Sequence, residues 1–580
     1  MSTLGNFVWS IADQLRGVYK PHQYGNVILP MTILRRLDCI MEPTRADVRV
    51  LAQKYDNPGA LTVQVKRKTG LGFYNTSEYD FQSLLAEPEG LRANLVDYLT
   101  KFSSNIDVFE RFKFENELAT LEEKNRLFLV VSKFAEVDLH PDVVPNAAMG
   151  DLFEELIRKF AEASNEEAGE HYTPRDAIRL MVDLLFAENS VALLEPGTVR
   201  SIYDPTAGTG GMLSVAEERL LERNPDARLA LYGQEINDQS YAICKSDMIA
   251  KGQDASNIRL GDTLAEDLFA GRTFDFCMSN PPYGVDWKAA EKQVKEERQR
   301  DGAYGRFGPG LPPVSDGQML FLMHLASKMR PEHEGGGRAG IVLNGSPLFN
   351  GGAGSGPSEI RRWLLEEDVV DAIVALPTNM FFNTGIATYV WILDNTKRPE
   401  RKGKVQLIDA TSFWTKIRKN LGSKNREIDA DARKKILALY DAFEDSEHSK
   451  VLNSNAFGYW TITVERPLLD DDGNPIPDRQ GSPRPDAKKR DTENVPFTYG
   501  GNERGGEGVA ETVKAYLETE VLPHVPDAWV DHGKTRVGYE IPFTRHFYKY
   551  VPPRPLTEID ADLEAQVAKI LGLLRQVEQR

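Results

Sequence analysis

Val199-Arg-Ser-Ile-Tyr-Asp-Pro-Thr-Ala-Gly-Thr-Gly-Gly211 joins a short apolar run to a glycine-rich loop with an acid at its start. The apolar run predicts a buried strand, and the glycines let the loop backbone approach a ligand closely before a helix begins. Similar apolar runs alternate with stretches of helical spacing. We predict strands at residues 199–203, 229–233, 258–260, 274–278, 339–343, 369–376 and 387–393. This alternation is typical of an α/β fold with a doubly wound, mostly parallel sheet of the Rossmann-like type.

Acidic residues follow the first three predicted strands. Asp204 starts the glycine loop, Glu235 ends the second strand, and Asp262 follows the third. Each alone is more often a helix cap or a surface charge, but the carboxyl ends of parallel strands share one edge of the sheet. At that edge Glu235 can accept hydrogen bonds from both hydroxyls of a ribose, and Asp262 can accept one from the amine of an adenine. The pattern therefore predicts a ligand that contains adenosine.

Asp204 separates the candidate ligands, which the glycine loop alone does not. A carboxylate at the tip of the first strand suits the amino group and sulfonium of S-adenosylmethionine, and it would repel a pyrophosphate. The sequence has no GxxxxGK[ST] loop, which argues against a nucleotide triphosphatase. We therefore predict S-adenosylmethionine as the cofactor, with Gly208 and Gly210 leaving room for it.

Asn280-Pro-Pro-Tyr283 follows the fourth predicted strand. The amide oxygen of Asn280 and the carbonyl of Pro281 can accept hydrogens from an NH2 group conjugated into a heteroaromatic ring, which favours the pyramidal nitrogen that attacks. Pro281 and Pro282 hold these acceptors stiffly, and Tyr283 offers a flat face to a base taken out of a duplex. Asn-Pro alone is common in turns, so the glycine loop upstream decides in favour of a catalytic loop.

Apolar residues at helical spacing dominate the N-terminal quarter of the chain and its last segment. We predict a helical N-terminal domain at 1–145, a methyltransferase domain at 146–470, a linker at 471–510 and a C-terminal segment at 511–580. The region 396–495 is expected to be poorly ordered; it contains the basic run 416–426. The apolar stripe of the last predicted helix comprises Leu563, Val567, Ile570, Leu571 and Leu574.

Composition narrows the class of protein. Of the 580 residues 41% are hydrophobic and 27% charged. No apolar run approaches the ~20 residues of a membrane span, and the N-terminus lacks the layout of a signal peptide, so we expect a cytoplasmic protein with no membrane contact. Cys39, Cys244 and Cys277 form no CxxC pair, so we expect no metal site. The net charge of -17 means that a protein handling DNA needs a local basic surface or a partner.

Five segments resemble the modification subunit of type I restriction-modification systems, an N6-adenine DNA methyltransferase. They are Gly169-Glu-His-Tyr-Thr-Pro-Arg175, Asp204-Pro-Thr-Ala-Gly-Thr-Gly-Gly211, Asn280-Pro-Pro-Tyr-Gly284, Ser315-Asp-Gly-Gln-Met-Leu-Phe-Leu322 and Val537-Gly-Tyr-Glu-Ile-Pro-Phe-Thr-Arg-His-Phe547. The resemblance implies methylation of adenine in double-stranded DNA. The residues that it implies for cofactor binding are Glu170, His171, Tyr172, Thr173, Pro174, Arg175, Thr206, Ala207, Gly208 and Glu235.

The resemblance also implies partners. A specificity subunit would read the DNA sequence, a restriction subunit with translocase and nuclease activity often joins, and two copies of this chain would enter one complex. Two alternatives remain open. A protein-glutamine methyltransferase also uses Asn-Pro-Pro-Tyr, although such proteins are expected to be much shorter. A non-catalytic DNA-binding scaffold subunit could keep the fold, although the intact Asn280, Tyr283 and Asp204 count against it.

Overall fold

The fold is taken from a computed structural model of the chain. It describes residues 10–20, 23–146, 148–150, 152, 153, 156, 173–187, 193–251, 253–381, 385–478, 480–502, 505–548 and 555–578. The chain divides into two compact units, Met1–Ile541 and Pro542–Arg580. None of the helices in these ranges combines the length and the apolar character needed to cross a bilayer.

The strands, numbered along the chain, are β1 (Val199–Asp204), β2 (Arg228–Glu235), β3 (Ile258–Leu260), β4 (Phe276–Ser279), β5 (Arg338–Asn344), β6 (Val370–Ala375), β7 (Thr388–Asp394), β8 (Lys404–Asp409), β9 (Thr415–Leu421), β10 (Lys424–Glu427), β11 (Ser449–Asn453), β12 (Gly458–Glu465), β13 (Asp491–Pro496), β14 (Trp529–Val530) and β15 (Arg536–Tyr539).

The α-helices are α1 (Gly25–Met41), α2 (Arg45–Ala52), α3 (Pro58–Thr69), α4 (Phe81–Ala86), α5 (Leu91–Thr100), α6 (Val108–Arg111), α7 (Phe114–Glu123), α8 (Leu127–Ala135), α9 (Arg175–Ala187), α10 (Gly211–Arg223), α11 (Asp238–Ala250), α12 (Glu291–Asp301), α13 (Gln318–Lys328), α14 (Ser346–Phe349), α15 (Gly356–Glu366), α16 (Ala430–Ala442), α17 (Val509–Tyr516), α18 (Phe543–Phe547) and α19 (Leu556–Glu578).

The main sheet has nine strands in the order β11-β8-β6-β7-β5-β4-β1-β2-β3. From β5 to β3 all neighbours are parallel, whereas β7 runs antiparallel to both β5 and β6. Helices α9, α10, α11 and α16 share an apolar core with one face. On the other face Tyr203 of β1 stacks on Phe274, and its hydroxyl lies 3.1 Å from Nε2 of His324 in α13. The predicted doubly wound, mostly parallel α/β sheet is confirmed.

The structure differs from the expectation of poor order at residues 396–495. In that region β8 pairs with β6, and β11 pairs with β8, at the edge of the main sheet. β13, in the stretch predicted as a linker, pairs with β12. These strands were not predicted because they contain charged and amide residues. In β8, for example, Gln406 is buried between Val405 and Leu407, and its side-chain amide donates to Oγ of Ser449 at 3.0 Å. Polar residues that suggest a loop in the sequence therefore find hydrogen-bond partners on the neighbouring strand of the sheet.

The N-terminal helices α1 to α8 pack around a core of their own. α1 is its centre, with nearly every residue buried. The same core takes in Ala242, Ile243 and Ile249 of α11, which joins the helical region to the sheet. An ion pair of 2.6 Å between Lys245 and Asp107 crosses this junction.

A smaller sheet is built around β12, which pairs with β13, β14 and β15. β15 holds the first part of the aromatic segment at 537–547, and the backbone N–H of Tyr539 donates to Oγ of Ser358 at 2.9 Å. The second unit contains α18 and α19. Along α19 the predicted apolar stripe is exposed, from 50% at Leu571 to 58% at Leu563. The side chain of Leu574 lies outside the described part of this helix.

Candidate active site

A cavity of about 310 Å³ opens where β1, β2, β3 and β4 end. The loops after all four strands line it, through Gly208, Glu235, Asp262 and Asn280 among others. A crevice outside the carboxyl ends of parallel strands is the usual ligand site of such sheets. The glycine loop and the Asn-Pro-Pro-Tyr loop, 69 or more residues apart in the sequence, therefore face the same space.

The two glycines of the first loop have different surroundings. Both have positive φ, 54° at Gly208 and 84° at Gly210, a conformation that side chains rarely adopt. Gly208 lines the cavity. A Cβ on Gly210 would lie 2.9 Å from Sγ of Cys244 in α11, so this glycine permits close packing on α11. Of the two glycines expected to leave room for the ligand, Gly208 lines the cavity, and its role in binding stays a prediction.

Glu235 ties the end of β2 to the glycine loop. Its Oε2 accepts a hydrogen bond from the backbone N–H of Gly208 at 2.7 Å, and its Oε1 accepts one from Asn237 at 2.8 Å. A carboxylate oxygen can accept more than one hydrogen bond, so these contacts leave Glu235 able to meet a ligand in the cavity that it lines. Asp262 also lines the cavity, and its Oδ1 accepts from the N–H of Leu264 at 2.9 Å. Both acids are therefore oriented by backbone donors.

Asp204 lies fully buried at the end of β1, below the loop. Its Oδ1 accepts from the backbone N–H of Thr206 at 2.9 Å. Oδ2 is buried and has no hydrogen-bond partner among the described residues. Burial raises the pKa of Asp204 to about 7, and the charge of Glu235 acts in the same direction. Because a nearby cation would favour the charged form, this group fits a ligand that carries an ammonium and a sulfonium.

The side-chain amide of Asn280 is held by two other side chains. Its Nδ2 donates to Oγ1 of Thr173 at 2.8 Å, and its Oδ1 accepts from the hydroxyl of Tyr283 at 2.5 Å. Burial raises the pKa of Tyr283 well above its ordinary value, so the hydroxyl stays protonated and donates. The Tyr283 ring meets the ring of Phe381 edge to face, with centroids 6.2 Å apart. Asn280 and Pro282 line the cavity, whereas Pro281 is buried.

The two loops are also bonded to each other. Oγ1 of Thr206 lies 2.9 Å from Oγ of Ser279, the residue before Asn280. Ala207 is nearly buried; it lines the cavity, and its N–H donates to the carbonyl of Gln234 at 3.0 Å. The glycine loop and the loop that carries Asn280 are therefore held together at the end of the sheet.

The segment predicted from Glu170 to Arg175 is only partly visible. Glu170, His171 and Tyr172 lie outside the described residues. Thr173 lines the cavity beside Asn280, and the carbonyl of Pro174 accepts from the N–H of Ile178 in the first turn of α9. Arg175 begins α9 and lines a neighbouring cavity that shares Thr209 and Gly211 with the main one.

Sequence reasoning missed the apolar wall of the cavity. Ile236, Leu264, Trp287 and Phe321 line it. The sequence signal for Ile236 was its place directly after the strand-end acid Glu235; its exposure of 66% is known only from the structure. Trp287 had no signal in the sequence. Its backbone N–H and its ring nitrogen donate to the carbonyls of Val314 and Pro313, which only the fold brings near.

Fold and site together define an S-adenosylmethionine-dependent methyltransferase. Residues 145–456 match the family model for N-6 DNA methylases, and residues 4–134 match that for the HsdM N-terminal domain. The chain therefore belongs to the N-6 DNA methylase family, as a methyltransferase subunit of the type I restriction-modification kind. It methylates adenine in DNA with S-adenosylmethionine as cofactor, and it works with other subunits of its system. The protein-glutamine and scaffold alternatives are set aside.

Individual relatives agree with this assignment. The type I restriction enzyme MjaIX methylase subunit of Methanocaldococcus jannaschii is 26% identical over 475 residues, which cover 78% of this chain and 79% of the relative. The MjaVII methylase subunit of the same organism is 31% identical over 365 residues, covering 61% and 57%. The type I methyltransferase subunit from Streptococcus thermophilus superposes with a TM-score of 0.61 at 25% identity, covering 78% of this chain and 96% of that structure.

Proposed function

We propose that the cavity holds S-adenosylmethionine and a flipped-out adenine side by side, and that Asn280 and Pro281 bind the adenine amine. The observation that carries this proposal is one cavity lined both by Asn280 and by Gly208 and Glu235. A base inside a duplex cannot reach a cavity at the edge of a sheet, so the adenine must leave the stack.

The cofactor supplies a methyl group made electrophilic by its sulfonium. Glu235 binds the ribose hydroxyls and Asp262 the adenine amine of the cofactor, with Ile236 against its ring. Asp204 contributes negative charge below the loop, where its free Oδ2 gains from a nearby cation. Thr206, Ala207 and Gly208 would provide the backbone against which the ligand lies, and the residues from Glu170 to Arg175 are also assigned to cofactor binding.

The amide of Asn280 orients the nucleophile. Its Oδ1 and the carbonyl of Pro281 accept the two hydrogens of the target amine, which directs the nitrogen lone pair at the methyl group and stabilises the positive charge that develops. The hydroxyl of Tyr283 bonds Oδ1, and the second lone pair of this oxygen accepts the incoming amine. The Tyr283 ring then stacks on the base. Thr173 keeps Nδ2 of Asn280 engaged, which leaves Oδ1 for the amine.

The partners of the complex are also part of the proposal. A specificity subunit reads the DNA sequence, two copies of this chain flank it, a restriction subunit can join, and the complex works in the cytoplasm. The exposed apolar row on α19 supports docking on the specificity subunit, because Leu563, Val567 and Ile570 are each more than half exposed. The helical region 1–145 contacts DNA or a partner, and the C-terminal segment from 511 onwards provides the docking surface.

Transfer of labelled methyl groups to unmodified duplex DNA tests the function. The chain is assayed with and without its co-purified partner, and the labelled base is identified after digestion. We expect N6-methyladenine at one DNA sequence, and only with the partner present. Label on cytosine, or on no base, would contradict the assignment.

Deletion of Glu558–Arg580 tests the docking role. The shortened chain should remain folded and bind S-adenosylmethionine, yet lose the co-purified partner and site-specific methylation. An unfolded product would show that α19 is needed for the fold, and a product that keeps the partner and specific methylation would rule out docking through α19.

A further inference from the structure

β9 and β10 form a two-stranded hairpin that belongs to neither larger sheet. Its turn at Gly422 and Ser423 is exposed, and so are Lys416 and Arg418 on β9. A two-stranded hairpin alone is marginally stable in water, so its position depends on its contacts with the rest of the protein. This hairpin contains most of the basic run 416–426 for which the active site has no use.

β10 is bonded to α9 through Lys424, just after the turn, and through the backbone of Ile428, just after the strand ends. Nζ of Lys424 lies 3.0 Å from both carboxylate oxygens of Asp176, and the N–H of Ile428 donates to the same carboxylate at 2.9 Å. Lys424 is buried, which makes this ion pair a structural anchor. Asp176 lies in the first turn of α9, three residues after Thr173, the side chain that bonds Asn280.

β10 is also bonded to the loop after β6, through Arg426. Nη1 of Arg426 donates to Oγ1 of Thr378 at 3.0 Å, and its guanidinium lies 4.1 Å from the ring centroid of Trp414. Three residues beyond Thr378 is Phe381, whose ring meets that of Tyr283. Both anchors of β10 therefore lead to residues in contact with the catalytic loop, and the hairpin packs beside the active site through β10.

The charges on the hairpin face are arranged for an anion. Lys416 and Arg426 are direct partners across the two strands, and like charges in that position are destabilising. Arg418 lies two residues further along β9 and is also exposed. Within the described residues neither Lys416 nor Arg418 forms an ion pair with an acid. Lys416, Arg418 and Arg426 thus place three positive charges on one short hairpin of a chain whose net charge is -17.

We propose that this hairpin is an arm that contacts the phosphate backbone of the substrate DNA next to the flipped adenine. The inference rests on the proposed function and adds the surface that holds the duplex at the catalytic loop. Lysine and arginine contacts to phosphate fix the position of a protein on DNA without reading its sequence. Such an arm is compatible with recognition by another subunit, and it supplies the local basic surface that the acidic chain otherwise needs.

The test uses the full chain with its co-purified partners and the double variant Lys416→Ala/Arg418→Ala. Steady-state methylation of duplex DNA is measured between 50 and 200 mM salt. Because each lost phosphate contact lowers the slope of log affinity against log salt by about 0.9, we expect a slope smaller by about 2. The KM for DNA should rise about tenfold at the upper salt concentration, with kcat at saturating DNA within about twofold. The dissociation constant of S-adenosylmethionine should not change.

Two controls separate position from charge. Lys488→Ala/Lys489→Ala removes the same charge from an exposed stretch between β12 and β13, and it should keep the salt slope of the unchanged protein. Lys416→Arg/Arg418→Lys keeps the charge on the hairpin and should restore the slope.

The remaining outcomes are distinct. A 416/418 variant that behaves like the 488/489 control shows a solvated surface and overturns this inference alone, since methylation itself persists. Loss of the co-purified partner by the 416/418 variant shows that the hairpin docks a protein, which also overturns it. Absence of DNA methylation by the unchanged complex overturns the proposed function, and the inference with it.

Discussion

The glycine loop and the catalytic loop line one cavity, but hydrogen bonds of different kinds hold their functional side chains. Glu235 accepts from the backbone N–H groups of Gly208 and Asn237, and Asp204 accepts from that of Thr206. Asn280 is bonded to the side chains of Thr173 and Tyr283. Side chains held by backbone groups keep their orientation as long as the loop keeps its fold. Side-chain partners can change when a substrate arrives.

This difference matches the two tasks of the site. The cofactor loops present fixed acceptors to a ligand of constant shape, and they gain by being rigid. The catalytic amide presents to an adenine amine an oxygen that also accepts from the Tyr283 hydroxyl. The bonds to Tyr283 and Thr173 satisfy both ends of the Asn280 amide while no substrate is present, and they set its orientation.

The largest expected effect comes from removing the catalytic amide. Asn280→Ala takes away an acceptor that acts on the charge developing in the transition state, so methyl transfer should fall by roughly two to three orders of magnitude, about 3 to 4 kcal/mol. Binding of S-adenosylmethionine, measured by calorimetry, should stay within about twofold because backbone N–H groups, and not the Asn280 side chain, hold Glu235 and Asp204. Transfer at a near-normal rate would remove Asn280 from the mechanism.

The next largest effect is expected at Glu235, one of the cofactor-site acids that backbone N–H groups hold. Glu235→Ala removes a charged acceptor for the ribose and also frees the N–H of Gly208, so S-adenosylmethionine should bind about 1 to 3 kcal/mol more weakly. Asp238→Ala removes the same charge three residues later from an exposed position, and it should leave the affinity unchanged. Equal affinity in both variants, by calorimetry, would place the cofactor elsewhere.

The residues around the cofactor were easier to predict from the sequence than the contacts of the catalytic amide, for a physical reason. Asp204, Glu235 and Asp262 follow strands, and parallel strands put their ends together whatever the details of packing, so the cavity edge followed from local patterns. The partners of Asn280 did not. Thr173 lies 107 residues before it, and only the packing of α9 brings its hydroxyl to the amide.

The same contrast holds for the fold. Strands β1 to β7 are short apolar runs and were predicted to within about two residues at most ends. β8, β11 and β13 carry charged and amide residues whose pairing depends on neighbours distant in sequence. The hairpin of β9 and β10 was expected to be poorly ordered. Its position depends on Asp176 and Thr378, which bond β10 and are distant from it in the sequence.

A smaller effect concerns pH. The pKa of Asp204 is about 7 in the folded protein and 3.8 for an unperturbed carboxyl. Between these values the folded state binds more protons than the unfolded state, so this group lowers the free energy of unfolding as pH rises, by up to about 1.4 kcal/mol per pH unit. Asp204→Asn carries no such proton. Its apparent Tm relative to the unchanged protein, without cofactor, should rise from pH 5 to pH 7 and level off above. A difference independent of pH would mean an ordinary pKa.

The smallest expected effect is also the sharpest test of the comparison. Thr173 was predicted to bind the cofactor, yet the structure bonds its hydroxyl to the catalytic amide. If it is a positioning residue, Thr173→Val, which keeps the shape but loses the hydroxyl, should slow single-turnover methyl transfer by about 1 kcal/mol, roughly fivefold. The affinity for S-adenosylmethionine should be unchanged. Thr173→Ser keeps the hydroxyl and should restore the rate. A cofactor ligand would behave in the opposite way, with weaker binding in Thr173→Val and a normal rate at saturating cofactor, and that result would show that Asn280 is oriented without Thr173.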